Sequence, residues 1–251
     1  PADADEEALV MLSDILPTGF ECGVLNGKVQ PGSTVAIVGA GPVGLAALLT
    51  AQFYSPARII VVDLDDNRLE VARRFGATDV VNSADGKAAD AVKALTEGRG
   101  VDTAIEAVGI PATFGVCENI VAAGGTIANV GVHGAKVDLH LETLWAHNIS
   151  ITTRLVDTAT TGMLLKTVQS KKLDPSVLIT HRFSLGQALD AYETFAAAAS
   201  SKALKVIISA CRAPLTNASG SKLGSYFRIS SMPGTTPGSA PAKVRMRSSC
   251  P

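Results

Sequence analysis

The sequence predicts an α/β protein: a doubly wound parallel sheet with helices on both faces, followed by a shorter C-terminal segment of different character. Three observations predict it. Short β-branched runs bounded by glycines alternate with helix-compatible segments over residues 34–155, the pattern of a parallel sheet covered on both sides. The first junction between strand and helix carries Gly39-Ala40-Gly41-Pro42-Val43-Gly44. An acid, Asp63, closes the next apolar run.

Residues 5–16 place apolar side chains on one side and predict a helix. Pro31-Gly32 makes a turn into a strand over residues 34–38, and residues 45–54 form the following helix. The alternation then predicts strands over residues 58–62, 79–82, 102–108, 126–130 and 149–155. The helices between them span residues 65–75, 86–97 and 112–121, and Gly124-Gly125 is expected to turn the last of these into its strand. After residue 157 the pattern changes. Helices are expected over 162–168 and 186–199 and extended segments over 178–183 and 203–209, a stretch that returns to pack against a second domain.

Composition narrows the function classes. The chain has 251 residues and a net charge of -1, but residues 211–251 hold six basic residues and no acid. Taking those six from the chain's 22 Lys and Arg leaves 16 against 23 acids, a balance of -7. An acidic body argues against nucleic acid as a partner. No run approaches the roughly 20 apolar residues of a membrane helix. The Pro-, Gly- and Ser-rich residues 211–251 read as a disordered basic tail. Cys22, Cys117, Cys211 and Cys250 form no close pair, which fits a reducing cytoplasm; Cys22 and Cys117 read as small core residues. His133, His140, His147 and His181 have no carboxylate or cysteine at ligand spacing and read as surface or satisfied core residues.

The glycine loop carries the chemistry. Gly39 permits a tight turn, Gly41 lets backbone approach a pyrophosphate, and Gly44 lets helix pack closely on strand. Pro42 and Val43 open the helix, whose free N–H groups and positive dipole end face the phosphates. Asp63 is placed to accept hydrogen bonds from the adenosine ribose and to repel the 2′-phosphate of NADP, with Asp65 and Asp66 adding to that bias. This is the pattern of an NAD-binding Rossmann domain.

Further residues carry a family resemblance. Ser13-Asp14-Ile15-Leu16-Pro17-Thr18-Gly19-Phe20, Gly98-Arg99-Gly100-Val101-Asp102, Glu106-Ala107-Val108-Gly109, Gly131-Val132-His133-Gly134 and Thr180-His181-Arg182-Phe183 join the glycine loop. Together they resemble the zinc-dependent alcohol dehydrogenases of the medium-chain dehydrogenase/reductase superfamily, over about residues 5–209. The resemblance implies oxidation of a small-molecule alcohol to an aldehyde or ketone, with NAD taking the hydride and a catalytic zinc polarising the alcohol oxygen. It implies that Asp14, read from the residues alone as a polar cap, is a zinc ligand. It places Arg68 near the adenosine ribose, Val130 and Val132 beside the nicotinamide, Val108 in the same cofactor set, and Lys205 at the pyrophosphate. It also implies a homo-oligomer paired through the last strand of the Rossmann sheet. On this reading residues 1–15 end a catalytic domain, 16–156 bind NAD, and 157–210 return to the catalytic domain. The remaining zinc ligands of the family fall in a preceding domain, so the chain as written is expected to bind cofactor and to be inactive. Arg154 stands where a small residue is expected beside the nicotinamide. A polyol or threonine dehydrogenase of the same superfamily, a non-catalytic NAD-binding protein and an S-adenosylmethionine-binding domain are the competing readings.

Overall fold

The computed structural model describes residues 5–210; the basic tail expected over 211–251 lies outside the described residues. The chain opens with α1 (Glu6–Val10), capped by the Asp5 carboxylate accepting from Glu7 N–H, then a 3-10 turn (Met11–Ser13), α2 (Ile15–Pro17) and a π-helical stretch (Thr18–Leu25). The single helix expected over 5–16 is therefore broken. Pro17 has no N–H, and its ring collides with the carbonyl four residues back in a continuous helix. The chain re-starts at Asp14, whose φ of -155° and ψ of -65° lie outside the helical region.

The alternation follows: β1 (Thr34–Val38), α3 (Pro42–Ala51), β2 (Arg58–Asp63), α4 (Asp66–Arg74), β3 (Asp79–Asn82), α5 (Ala88–Leu95), β4 (Val101–Glu106), α6 (Pro111–Ile120), β5 (Val121–Asn129), α7 (Leu141–Leu144) and β6 (Ser150–Thr153). The six strands form one sheet in the order β3-β2-β1-β4-β5-β6, every pair parallel. This is the doubly wound order of a Rossmann fold, whose switch point lies between β1 and β4.

The central strands are buried almost throughout, and successive side chains alternate between two cores, one on each face of the sheet. Val35 and Ile37 of β1, Ile59 and Val61 of β2 and Ile105 of β4 face one core, shared with α3, Leu69 of α4, and Leu16 and Phe20 of the N-terminal segment. Ala36 and Val38, Ile60 and Val62, and Ala104 face the other, against α5 and α6. One expectation fails in β5. Gly124 and Gly125 do not precede the strand but lie inside it, where the pairing with β4 slips between Val101 and Thr103. Gly124 has φ of +78°, and a Cβ on Gly125 would press on the Ala122 and Asp102 carbonyl oxygens at 2.9 and 3.0 Å. The pair makes a bulge rather than a turn.

The last segment holds α8 (Thr161–Gln169), β7 (Ile179–Ser184), α9 (Ala188–Ala196), α10 (Ala198–Ser201) and β8 (Lys205–Ser209). β7 and β8 pair in parallel as a separate two-stranded sheet. Leu164, Leu178, Leu204 and Ile207 join the first core, so residues 161–209 pack back on α3 and the N-terminal helices.

Candidate functional site

The crevice outside the carboxyl ends of β1 and β4 is where this topology places a ligand. Its floor is the glycine loop. Gly39 has φ of +108°, which favours glycine. A Cβ on Gly44 would overlap the Gly39 carbonyl oxygen, so no side chain fits where α3 begins against β1. A Cβ on Gly41 would meet nothing within 4 Å: this residue faces open space. Pro42 takes the first helical turn, where its missing N–H costs nothing, and Val43 follows it.

Asp63, at the carboxyl end of β2, reaches this loop. One carboxylate oxygen accepts Ala40 N–H at 2.6 Å and the other accepts Asp65 N–H at 2.9 Å. Asp65 in turn caps α4 through Asn67 N–H at 2.8 Å, and Asp66 accepts from the Asn82 amide at 2.6 Å. The acids expected to act together thus have separate tasks, and Asp63 alone bonds to the loop. Arg68, on α4, lines a cleft of about 510 Å³ with Arg74, Thr180, Lys202 and Leu204. Lys205 adjoins that cleft in sequence; its carbonyl accepts from the Thr180 hydroxyl at 3.2 Å.

The other wall rises from β4 and β5. Val108 is 45% exposed and Val132 90% exposed, while Val130 is partly buried against the first core. Between them stands a fully buried carboxylate, Glu106, that accepts from Val108 N–H, Gly109 N–H and the Thr113 hydroxyl. His133 lies close by: its Nε2 is 2.7 Å from the Asn129 side-chain oxygen and 3.6 Å from Glu106. Its Nδ1 is buried without a partner, so this histidine is neither a surface residue nor a satisfied core one. The Cys117 thiol is buried as expected, and burial, with the Glu106 and Glu118 carboxylates nearby, pushes its pKa well up.

Around Glu21 a second buried acid appears that sequence reasoning missed. It accepts Thr160 N–H at 2.8 Å, the Thr160 hydroxyl at 2.7 Å and Asp157 N–H at 3.3 Å, and lies 3.6 Å from Arg154. Arg154 also pairs with Asp157 at 2.7 Å. The arginine expected to crowd the cofactor is thus engaged by two acids. The only signal for Glu21 is an acid inside the apolar run Gly19-Phe20-Glu21-Cys22-Gly23-Val24.

Asp14 is exposed and accepts from the Thr18 hydroxyl at 2.8 Å. No group of three His, Cys, Asp or Glu among the described residues is arranged to hold a metal. A catalytic zinc takes about three protein ligands and an open position. The described residues therefore do not by themselves build a zinc site.

The family model for zinc-binding dehydrogenases matches residues 42–170. The chain belongs to this family. The chain is 36% identical over 200 residues to an alcohol dehydrogenase of Cupriavidus necator, an alignment covering 78% of this chain and 54% of the relative. It is 38% identical over 189 residues to an NADP-dependent isopropanol dehydrogenase of Thermoanaerobacter brockii, covering 73% and 53%. Among solved structures it is similar to a zinc-dependent alcohol dehydrogenase from Streptococcus pneumonia, with 58% identity, a TM-score of 0.81, and coverage of 85% of this chain and 61% of that one. The chain spans about half the length of the curated relatives it matches. Among its described residues no single helix is long and apolar enough to cross a membrane.

One titration outside the crevice is testable. His140 Nδ1 lies 2.8 Å from the Glu118 carboxylate, which also accepts His140 N–H at 3.0 Å. That hydrogen bond, and the acid's charge, raise the imidazole pKa. A raised folded-state value means the contribution to stability is full below the ordinary histidine range and is lost as pH rises through the folded value. Urea unfolding of the natural chain and of Glu118→Gln, from about pH 5 to about pH 9, is expected to show a gap that narrows with rising pH. A gap constant across that range excludes the linkage.

Proposed function

We propose that this chain binds NAD across the crevice and serves as the cofactor-binding part of an NAD-dependent oxidation of a primary or secondary alcohol to an aldehyde or ketone. The observation that carries the reading is the Asp63 carboxylate held against the glycine loop by Ala40 N–H at 2.6 Å. It fixes a negative charge where the adenosine ribose lies when the pyrophosphate sits on the start of α3, and that charge disfavours a 2′-phosphate. Gly39, Gly41, Pro42, Val43 and Gly44 receive the pyrophosphate; Arg68 and Lys205 stand on the adenosine side; Val108, Val130 and Val132 flank the nicotinamide. When bound, NAD supplies the hydride acceptor. The chain's own residues orient the dinucleotide and exclude the phosphorylated form. Within this reading residues 16–156 are the NAD-binding unit, flanked by catalytic-domain segments 1–15 and 157–210. A second copy of the chain pairs along β6, an edge strand whose Ile151 is exposed. A reducing, cytoplasmic setting fits the unpaired Cys22 and Cys117. A polyol or threonine is an equally suitable alcohol for the residues described.

Calorimetry on the purified chain with NAD and with NADP tests the reading. NAD is expected to bind, with NADP weaker by about tenfold or more, the order of one lost charge-assisted contact. Asp63→Ser is expected to narrow that difference. Equal affinity for both nucleotides in the natural chain contradicts the assignment of Asp63.

The Asp14 carboxylate, taken up by the Thr18 hydroxyl at 2.8 Å, favours a second reading, a dinucleotide-binding protein without catalysis. Here Asp14 is a helix-start residue bonded to Thr18 rather than a zinc ligand. Alcohol-dependent NADH production by the chain, abolished by a chelator, excludes this second reading and supports the zinc-assisted one.

A further inference from the structure

Asp63 lies on the β2 side of the glycine loop, so a dinucleotide whose adenosine half sits there must extend its other half across the ends of β4 and β5. The loops that receive that half leave β4 after Glu106 and β5 after Asn129. Neither loop has a helix or ladder of its own at this point, and both are gathered by a single residue. The Glu106 side chain, fully buried, accepts Val108 N–H at 3.1 Å, Gly109 N–H at 2.9 and 3.1 Å through its two oxygens, and the Thr113 hydroxyl at 2.6 Å. Its main-chain carbonyl accepts Val130 N–H at 2.8 Å and Gly131 N–H at 3.1 Å.

The packing around it leaves no slack. A Cβ on Gly39 would meet Val108, and one on Gly131 would overlap Gly109 and the Glu106 carboxylate. The glycine loop, the β4 loop and the β5 loop thus touch in sequence, with Glu106 behind them and the apolar Val108 and Val132 exposed in front. A buried carboxylate costs free energy unless its oxygens are satisfied. Here the main-chain donors come from the loops that would hold the second half of the ligand, and the hydroxyl donor, Thr113, from the first turn of α6 just beyond the β4 loop.

We propose that Glu106 is a positioning residue for the nicotinamide half of the cofactor: it fixes the loops that present Val108 and Val132 to the ring without touching it. The inference rests on the NAD-binding reading above. It predicts a split that a purely structural role does not. Glu106→Gln keeps the shape but puts an amide N–H where Gly109 N–H and His133 now approach an oxygen. Calorimetry on the full chain should then show NAD affinity down about tenfold, with affinity for ADP, the adenosine half alone, changed by less than about twofold. Equal weakening of both ligands, or no change in either, overturns the proposal. If the natural chain binds ADP but gains nothing from the nicotinamide half, the proposal also fails while the phosphate site stands. If it binds neither, the NAD reading itself fails and takes the proposal with it. Should circular dichroism show that Glu106→Gln does not fold, Thr113→Val removes the shortest of the bonds. It is expected to weaken NAD about threefold relative to ADP, and an unchanged ratio overturns the proposal equally.

Discussion

Gly44→Ala is expected to push the start of α3 away from the sheet and to weaken NAD binding sharply. The added Cβ would overlap the Gly39 carbonyl oxygen, a backbone atom that no rotamer change can move. It would also come within 3.0 Å of the Gly39 carbonyl carbon and 3.4 Å of the Ile37 side chain. Overpacking in a tight core costs about 1–3 kcal/mol, and contact against backbone belongs at the upper end. The loss in affinity should reach about a hundredfold, because moving the helix start withdraws several charge-assisted N–H donors at once. Gly41→Ala is the matched control. Its Cβ would enter open space and its φ of -71° suits alanine, so the melting temperature should be unchanged. NAD affinity should still fall, because that space belongs to the pyrophosphate in the proposed complex. Melting curves and calorimetry on both variants check the contrast. A Gly44→Ala protein as stable as the natural chain would falsify the close-packing argument.

The largest effect on stability alone is expected from Glu21→Ala. The carboxylate is fully buried, and truncation strands two main-chain N–H groups, the Thr160 hydroxyl and part of the Arg154 pairing. Removing one member of a buried charged network costs about 3–5 kcal/mol. For a folded region of this size that corresponds to a fall in melting temperature of about 10 °C. Arg154→Ala should cost much less. Its side chain is about one-third exposed, so solvent screens its pairing, and Glu21 keeps its three donors. Thermal unfolding of the two variants side by side tests the ordering. Equal losses would place the weight on the ion pair instead of on the hydrogen bonds to residues 157–160.

Where the chain obeys its local periodicity, the sequence was sufficient. The order of strands and helices over residues 34–153 follows from β-branched runs and glycine punctuation, and the glycine loop marks the junction of β1 with α3. The failures have definite physical causes. The break at Asp14 depends on a ring-to-carbonyl clash at Pro17 that apolar periodicity ignores. The pair Gly124-Gly125 looks like a turn because glycine marks both turns and bulges, and only the pairing partner distinguishes them. Glu21 and Glu106 escaped as organising residues because their donors lie on distant loops or on main-chain N–H groups. His133 and His140 show no carboxylate at ligand spacing in the sequence because Glu106 and Glu118 lie 27 and 22 positions away along the chain but adjoin them in space. The chemistry expected at Asp14 was legible only as a resemblance, and the described residues supply no companions for it.

The strand order has a consequence for how the chain is made. β1 sits at the middle of the sheet, flanked by β2, its successor, and by β4, which ends at Glu106. A nascent chain emerging from the ribosome can therefore pair one edge of Val35–Val38 early. The other edge stays open until some 70 further residues have been synthesised. Parallel pairing across such separations is slow because the intervening loop must close first. During that interval a flat, apolar strand edge is available to other chains. For this chain the exposure of that edge ends when Val35, Ala36, Ile37 and Val38 meet Thr103, Ala104, Ile105 and Glu106.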